Sequence, residues 1–136
     1  MAYTRLRYHF ITGTHRRRPL ITRPVEQVLY PALRATARNA NGRVLAVGGV
    51  ADHVHLVAAL RPTVSIANFM RVVKTGSSHA VRCRFGHHAF RWQRGYAAFT
   101  VMPFNMERLL NYVARQKDHH ASGETWPAYE HCAEDE

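Results

Sequence analysis

Two histidines separated by one residue, His53-Val54-His55, are the sharpest chemical feature of the sequence. The segment Asp52-His53-Val54-His55-Leu56-Val57 reads as a strand, where residues i and i+2 point to the same face. His53 and His55 then project together, and Val54 and Leu56 turn the other way, toward a core. Two parallel imidazoles on a rigid strand are a ready chelate for a divalent ion. The spacing alone does not separate this from two surface histidines in a chain that has ten. A complete site needs further ligands. Cys83 and Cys132 are far apart and form no Cys-x-x-Cys pair, which disfavours a structural zinc. The last helix offers Tyr112 and Gln116 at i and i+4, stacked on one face at the edge of its apolar stripe. Gln116 can give a neutral amide oxygen. Tyr112 can give a phenolic nucleophile, although a packing tyrosine on an amphipathic helix shows the same pattern. A tyrosine attacking phosphate must offset a pKa of about 10 and needs the phosphate oxygens neutralised. A metal on His53, His55 and Gln116 would serve the second need. Hard phosphate chemistry with imidazole ligands points to Mg2+ or Mn2+.

These residues need a scaffold. Residues 8–14 read as a strand, followed by the basic turn His15-Arg16-Arg17-Arg18-Pro19. Thr22 and Pro24 start a helix whose apolar face is Val25, Val28, Leu29, Ala32 and Leu33, with Pro31 expected to kink it. Asn41-Gly42 is a stop-and-turn signal. Val44 to Val50 and His53 to Ala59 read as two strands around a tight Ala51-Asp52 turn. Pro62-Thr63 is read as the start of the next helix. Its stripe Ile66, Phe69, Met70, Val73, Ser77 and Val81 has helical spacing. A second stripe, Arg71, Lys74, Ser78 and Arg82, is basic and hydroxylic. Gly76 inside this helix suggests that another backbone comes close. Residues 90–93 and 97–101 read as short strands around Arg94-Gly95-Tyr96, and Asn105 as the cap of a last helix with Met106, Leu109, Leu110 and Val113 on its apolar face. The order β-α-β-β-α-β with a helical appendage is the split βαβ pattern of an α+β, ferredoxin-like or RRM-like sandwich. Many functions share that fold, so the site has to carry the functional argument.

The charge pattern names a partner class. The 136 residues carry 19 Lys+Arg against 9 Asp+Glu, and 17 of the bases are arginine. Five of the nine acids fall in the last 13 residues, which leaves residues 1–120 at +15. Arginine suits bidentate contact with phosphate, and a basic body of this kind suits nucleic acid. The turn Arg16, Arg17 and Arg18, the stripe Arg71, Lys74 and Arg82, and Arg94 are the candidate phosphate contacts. A solvated basic face is the plainer reading of each. No apolar run approaches the roughly 18 residues of a membrane span. The N-terminus lacks the apolar segment of a secretory signal, so no membrane partner and a cytoplasmic location are expected. Residues 1–120 read as one domain and 121–136 as a polar, acidic tail with Trp126 and Tyr129 as docking points. Tyr96 is a rival nucleophile without a glutamine at i+4. Asp52 either orients a histidine or caps its turn. His87, His88, His119 and His120 are read as surface residues.

Taken in order, several segments resemble one family. They are Tyr8-His9-Phe10 with Arg17-Arg18-Pro19-Leu20-Ile21, Gly48-Gly49-Val50-Ala51-Asp52-His53-Val54-His55-Leu56-Val57, and Lys74 followed by Ser77-Ser78. Trp92-Gln93-Arg94-Gly95-Tyr96-Ala97-Ala98-Phe99 and Tyr112-Val113-Ala114-Arg115-Gln116 followed by His119-His120 complete the set. The chain resembles the single-tyrosine transposases of the IS200/IS605 group, within the His-hydrophobic-His (HUH) endonuclease superfamily. The resemblance implies that His53, His55 and Gln116 are metal ligands and that Tyr112 is the nucleophile. It implies a homodimer with joined sheets, in which each site can pair the histidines of one chain with the tyrosine helix of the other. It also implies single-stranded DNA with hairpin ends as substrate, a 5′-phosphotyrosine intermediate, and a bacterial or archaeal source. Ala51 stands where the pattern has proline. Met102-Pro103-Phe104 and Lys117-Asp118 also depart from it, but none of these is a chemical position. The competing readings are a non-catalytic RRM-like nucleic-acid binder, a domesticated repeat-associated relative, and a metal-dependent hydrolase of small phosphoesters.

Overall fold

The computed structural model describes residues 2–126 and Glu130. Strand β1 (Leu6–Gly13) runs into a 3-10 turn at His15–Arg17 and then helix α1 (Arg23–Asn39). Strands β2 (Gly42–Val50) and β3 (His53–Leu60) form a hairpin, and helix α2 (Ile66–Phe85) follows. A short β4 (Ala97–Thr100), a 3-10 turn at Pro103–Asn105, α3 (Met106–Ala114) and α4 (Gln116–Ser122) complete the described chain. The sheet order is β2-β3-β1-β4, with every neighbouring pair antiparallel. This is the ferredoxin-like arrangement that the element order implies.

Local signals account for most boundaries. Thr22 caps α1 by accepting from the Val25 N–H, and Asn41 leaves the helix at a positive φ of 61°. α1 continues through Pro31. Ser65, not Pro62-Thr63, caps α2, its hydroxyl accepting from the Asn68 N–H. Residues 90–93 are not a strand: Trp92 makes one isolated bridge to Thr14 and buries its ring against Phe90. The Lys74 ammonium pins the following loop through the carbonyls of Gln93, Arg94 and Gly95 at 2.6, 3.0 and 3.1 Å. The apolar residues there belong to a tethered loop.

The sheet separates two cores. Phe10, Val54, Leu56 and Ala58 face α1 and α2, where Leu29, Leu33, Phe69 and Val73 join them. Burying a side chain of this size stabilises the fold by about 1.5–3 kcal/mol. On the other face, Ala46 and Val57 meet Met106, Leu109 and Val113 of α3. The period-2 alternation of β3 thus sends Val54, Leu56 and Ala58 under the helix pair and His53, His55 and Val57 toward α3. Gly76 marks the α1–α2 crossing. A Cβ there would lie 2.3 Å from Thr36 Cγ2, so the close approach is to a side chain of α1. Gly76→Val is expected to lower unfolding stability by about 1–3 kcal/mol in urea titrations, because overpacking outweighs the small gain in helix propensity.

Candidate functional site

The histidine pair sits on a rigid central strand. His53 pairs with Gly13 and Val50, and His55 with Ile11 and Gly48, so both are fixed from either side. Both rings are buried on the α3 face. His53 Nδ1 donates to Asp52 Oδ1 at 2.8 Å, since a carboxylate can only accept. Arg17 lies 3.4 Å from the same carboxylate. Burial works against the charge of Asp52, but the His53 hydrogen bond and Arg17 outweigh it and hold the carboxyl below its usual range. Asp52 therefore orients His53, with Nε2 left facing the site. His55 is set by a residue to which the sequence reading gave no role. His9 on β1 meets it at 2.8 Å, Nε2 to Nδ1, with the rings stacked at 5.1 Å. Burial, with His55 beside it, lowers the His9 pKa to about 3, so this support is a neutral imidazole. Burial likewise lowers the pKa of His55.

The tyrosine and glutamine arrive from α3 and α4. One helix carrying both was expected; instead the chain breaks at Arg115 (φ −113°, ψ 31°) and restarts at Gln116. No proline or glycine marks the break. Lys117 anchors the second piece, reaching Glu26 of α1 at 2.6 Å and the Gly49 carbonyl at 3.3 Å. Tyr112 and Gln116 still converge, and each is 1% exposed. The Gln116 amide nitrogen donates to Glu130 at 3.4 Å, while its Oε1 is buried with no hydrogen-bond partner among the described residues. The Tyr112 ring stacks on His119 at 4.3 Å and on Trp126 at 4.6 Å. Its hydroxyl accepts from the Trp126 N–H at 2.9 Å and donates to Glu130 Oε2. Burial, and then the Glu130 hydrogen bond, push the Tyr112 pKa up to about 12.

Glu130 ties the centre together. Its Oε1 lies 3.2 Å from His53 Nε2, 3.1 Å from His55 Nε2 and 3.2 Å from His120 Nε2. Burial alone would raise its pKa, but hydrogen bonds from His53, His55 and Tyr112 hold it well below the carboxylate range. Ligand atoms of His53, His120 and Glu130 all lie within 4.8 Å of one another. His120 and His119, read from sequence as surface residues, are half-buried parts of this site. The available signal was spacing: His120 is one turn beyond Gln116. Glu130 gave none, because it lies in the acidic segment 121–136. Trp126, expected to dock, does so on Tyr112; Tyr129 lies outside the described residues.

The basic candidates fall into two surface concavities and one tether. Arg18 and Arg82 line a cavity of about 560 Å3 with His15, His87, His88 and Arg91. Arg71, Lys74 and Arg94 line one of about 260 Å3 beside Tyr96. Arg16 is exposed on the 3-10 turn, and Arg17 folds back onto Asp52. Tyr96 packs toward Phe10 on the opposite face of the sheet from the histidines. No helix among the described residues is long and apolar enough to cross a membrane.

Known proteins share this architecture. Residues 2–116 match the family described as "Transposase IS200 like". The transposases for insertion sequence element IS200 of Salmonella typhimurium (strain LT2) and Salmonella typhi are each 28% identical over 132 residues, covering 91% of this chain and 86% of theirs. A crystal structure described as a "putative transposase" from Deinococcus radiodurans R1 matches with a TM-score of 0.70 at 24% identity, over 85% of this chain and 93% of that one. A REP-associated tyrosine transposase bound to a REP hairpin matches with a TM-score of 0.65 at 19% identity, over 93% of this chain and 78% of that one. At these identities the two structures speak for a shared fold.

Proposed function

We propose that this chain, which belongs to the IS200-like transposase family, is a transposase that cleaves and rejoins single-stranded DNA through a covalent link to Tyr112. The observation that carries the reading is that Tyr112 and Gln116 meet the two strand histidines at one carboxylate, Glu130, while the Gln116 oxygen is buried with no hydrogen-bond partner among the described residues. That orphan oxygen fits a missing cation: a buried acceptor without a donor costs about 1–3 kcal/mol, and an ion would relieve it. The donor set of two imidazoles and an amide oxygen suits Mg2+ or Mn2+. His53, His55 and Gln116 would hold the ion, and when bound it supplies Lewis-acid neutralisation of phosphate oxygens. Asp52 and His9 keep the two imidazoles in the ligand tautomer. Tyr112 attacks phosphorus, forming the 5′-phosphotyrosine and freeing a 3′-hydroxyl. Attack of a 3′-hydroxyl on such a linkage rejoins strands and returns the tyrosine.

The remaining elements of the reading are substrate and assembly. A structural relative binds a REP hairpin, and hairpin-ended single strands are the proposed substrate here. Arg16, Arg17, Arg18, Arg71, Lys74, Arg82 and Arg94 are the proposed backbone contacts, with residues 1–120 as the catalytic domain. The proposed assembly is a homodimer in a bacterial or archaeal cytoplasm, and strands β2 and β4 are the sheet edges available for joining. The test is covalent. Protein incubated with hairpin-ended single-stranded DNA and Mn2+ or Mg2+ is expected to give a DNA band retarded on a denaturing gel, lost on chelation. Salt-sensitive binding with no adduct on cognate ends would leave the RRM-like binder as the better reading. Asp52→Ala is expected to weaken Mn2+ affinity by about 10–100-fold by calorimetry, because the His53 ring loses its orienting acceptor.

A further inference from the structure

Resting on the metal reading above, we propose that Glu130 is itself a metal ligand, with His120 beside it, supplied to the histidine pair by the chain beyond α4. Three imidazole Nε2 atoms fan onto one oxygen of this carboxylate at 3.1–3.2 Å. Two donors of one ion, each about 2.1 Å from it, stand about 3.0–3.4 Å apart, the separation that each imidazole nitrogen keeps from Glu130 Oε1. The tautomers agree. In the tautomer that donates Nδ1–H to Asp52, His53 presents its Nε2 lone pair to Glu130 Oε1, and the hydrogen bond drawn there needs an extra proton in the place a cation would take. Two lone pairs 3.2 Å apart repel unless a proton or a cation lies between them. His55 can present its Nε2 lone pair in the same way by donating from Nδ1 to the neutral His9. Three N–H donors would also exceed the two lone-pair directions of a single carboxylate oxygen, whereas a divalent ion between His53, His120 and Glu130, whose ligand atoms lie within 4.8 Å of one another, would relieve that crowding.

The carboxylate is sequestered for such a role. Its side chain is 15% exposed, and its second oxygen is held by Tyr112 and by the Gln116 amide nitrogen. Glu130 thus spans the metal-facing histidines and the nucleophile. The residue adds a negative charge that the set of His53, His55 and Gln116 lacks, and charged oxygen ligands raise affinity for hard divalent ions.

The experiment is Mn2+ titration of the full chain without DNA, by calorimetry and by loss of the free Mn2+ electron paramagnetic resonance signal. Glu130→Gln keeps the shape and removes the charge. It is expected to weaken Mn2+ binding about tenfold or more, and His120→Gln to weaken it in the same direction. Glu130→Asp, which retains a carboxylate on a shorter stem, is expected to fall between wild type and Glu130→Gln, and it serves where the glutamine variant fails to fold. Unchanged or tighter Mn2+ binding by Glu130→Gln overturns the proposal, since the carboxylate would then only occupy the place of the ion. Binding lost in His53→Ala but untouched in all the Glu130 and His120 variants overturns this proposal and leaves the three-ligand site standing. A wild type that binds no Mn2+ overturns both.

Discussion

Tyr112→Phe is expected to abolish the covalent DNA adduct, with strand cleavage reduced by at least about 10³-fold while the protein stays folded. The substitution deletes one oxygen. The ring keeps its stacking on His119 and Trp126 at 4.3 and 4.6 Å, and the apolar contacts of α3 rest on Met106, Leu109 and Val113. What disappears is the hydroxyl that donates to Glu130 and accepts from the Trp126 N–H, a loss worth roughly 1–3 kcal/mol of stability. On the proposed mechanism the chemical loss is complete, because the covalent intermediate needs this hydroxyl as its nucleophile. Tyr96 cannot stand in for it, since it packs on the far side of the sheet. The measurement is a denaturing gel with labelled hairpin DNA, supported by intact-mass detection of the adduct. A full-strength adduct in Tyr112→Phe would move the chemistry to another side chain.

Two features of the resting hydroxyl set what wild-type turnover requires. It is buried, and its pKa is pushed up to about 12. On the proposed mechanism, attack on phosphorus needs the hydroxyl exposed to DNA, which requires the Trp126 and Glu130 contacts to open. It also needs the proton to leave more easily than burial allows. A bound cation and the basic surface both act in that direction.

The strand histidines were legible because strand alternation is local: Val54 and Leu56 must go inward, which sends His53 and His55 outward together. The sheet order followed from element order, since a split βαβ chain has few ways to close. Tyr112 and Gln116 were legible as a pair, although the helix that joined them on paper is broken at Arg115. Beyond that break the second piece is anchored by Lys117 on Glu26 and Gly49, a tertiary contact that no nearest-neighbour signal encodes. Residues 90–93 likewise depend on distant partners: single backbone hydrogen bonds to Gly13 and His15 hold them at the end of β1 without making a strand, and Lys74 clamps the carbonyls of Gln93, Arg94 and Gly95. His9 was hidden because its role depends on register: only the β1–β3 pairing brings it diagonal to His55. Glu130 was hidden most deeply. In sequence it is one of five acids near the C-terminus; in space it touches His53, His55, His120, Tyr112 and Gln116. The part of the charge arithmetic that seemed only to offset a basic body contains a residue at the centre of the site.

Gly48→Val is expected to disable the site by displacing α3, leaving the histidines in place. Gly48 pairs with His55 across the β2–β3 ladder. A Cβ on it would lie 1.9 Å from the Val113 carbonyl oxygen and 2.9 Å from the Val113 carbonyl carbon. Those are backbone atoms, so rotamer adjustment gives no relief, and the helix must move. Val113 directly follows Tyr112, so the displacement falls on the proposed nucleophile itself. A shift of about 1 Å at a reacting group costs on the order of 10²-fold in rate, and overpacking of this kind costs about 1–3 kcal/mol of stability. At this chain length each kcal/mol corresponds to roughly 3–5 °C in Tm, so a fall of several degrees should accompany the loss of adduct. Mn2+ ligation by the strand histidines should survive better than cleavage, because β3 is held from both sides. Parallel calorimetry and cleavage assays on Gly48→Val separate the two effects. Equal losses in metal affinity and in cleavage would mean that the substitution had disturbed the strand pair and not the docking of the tyrosine helix.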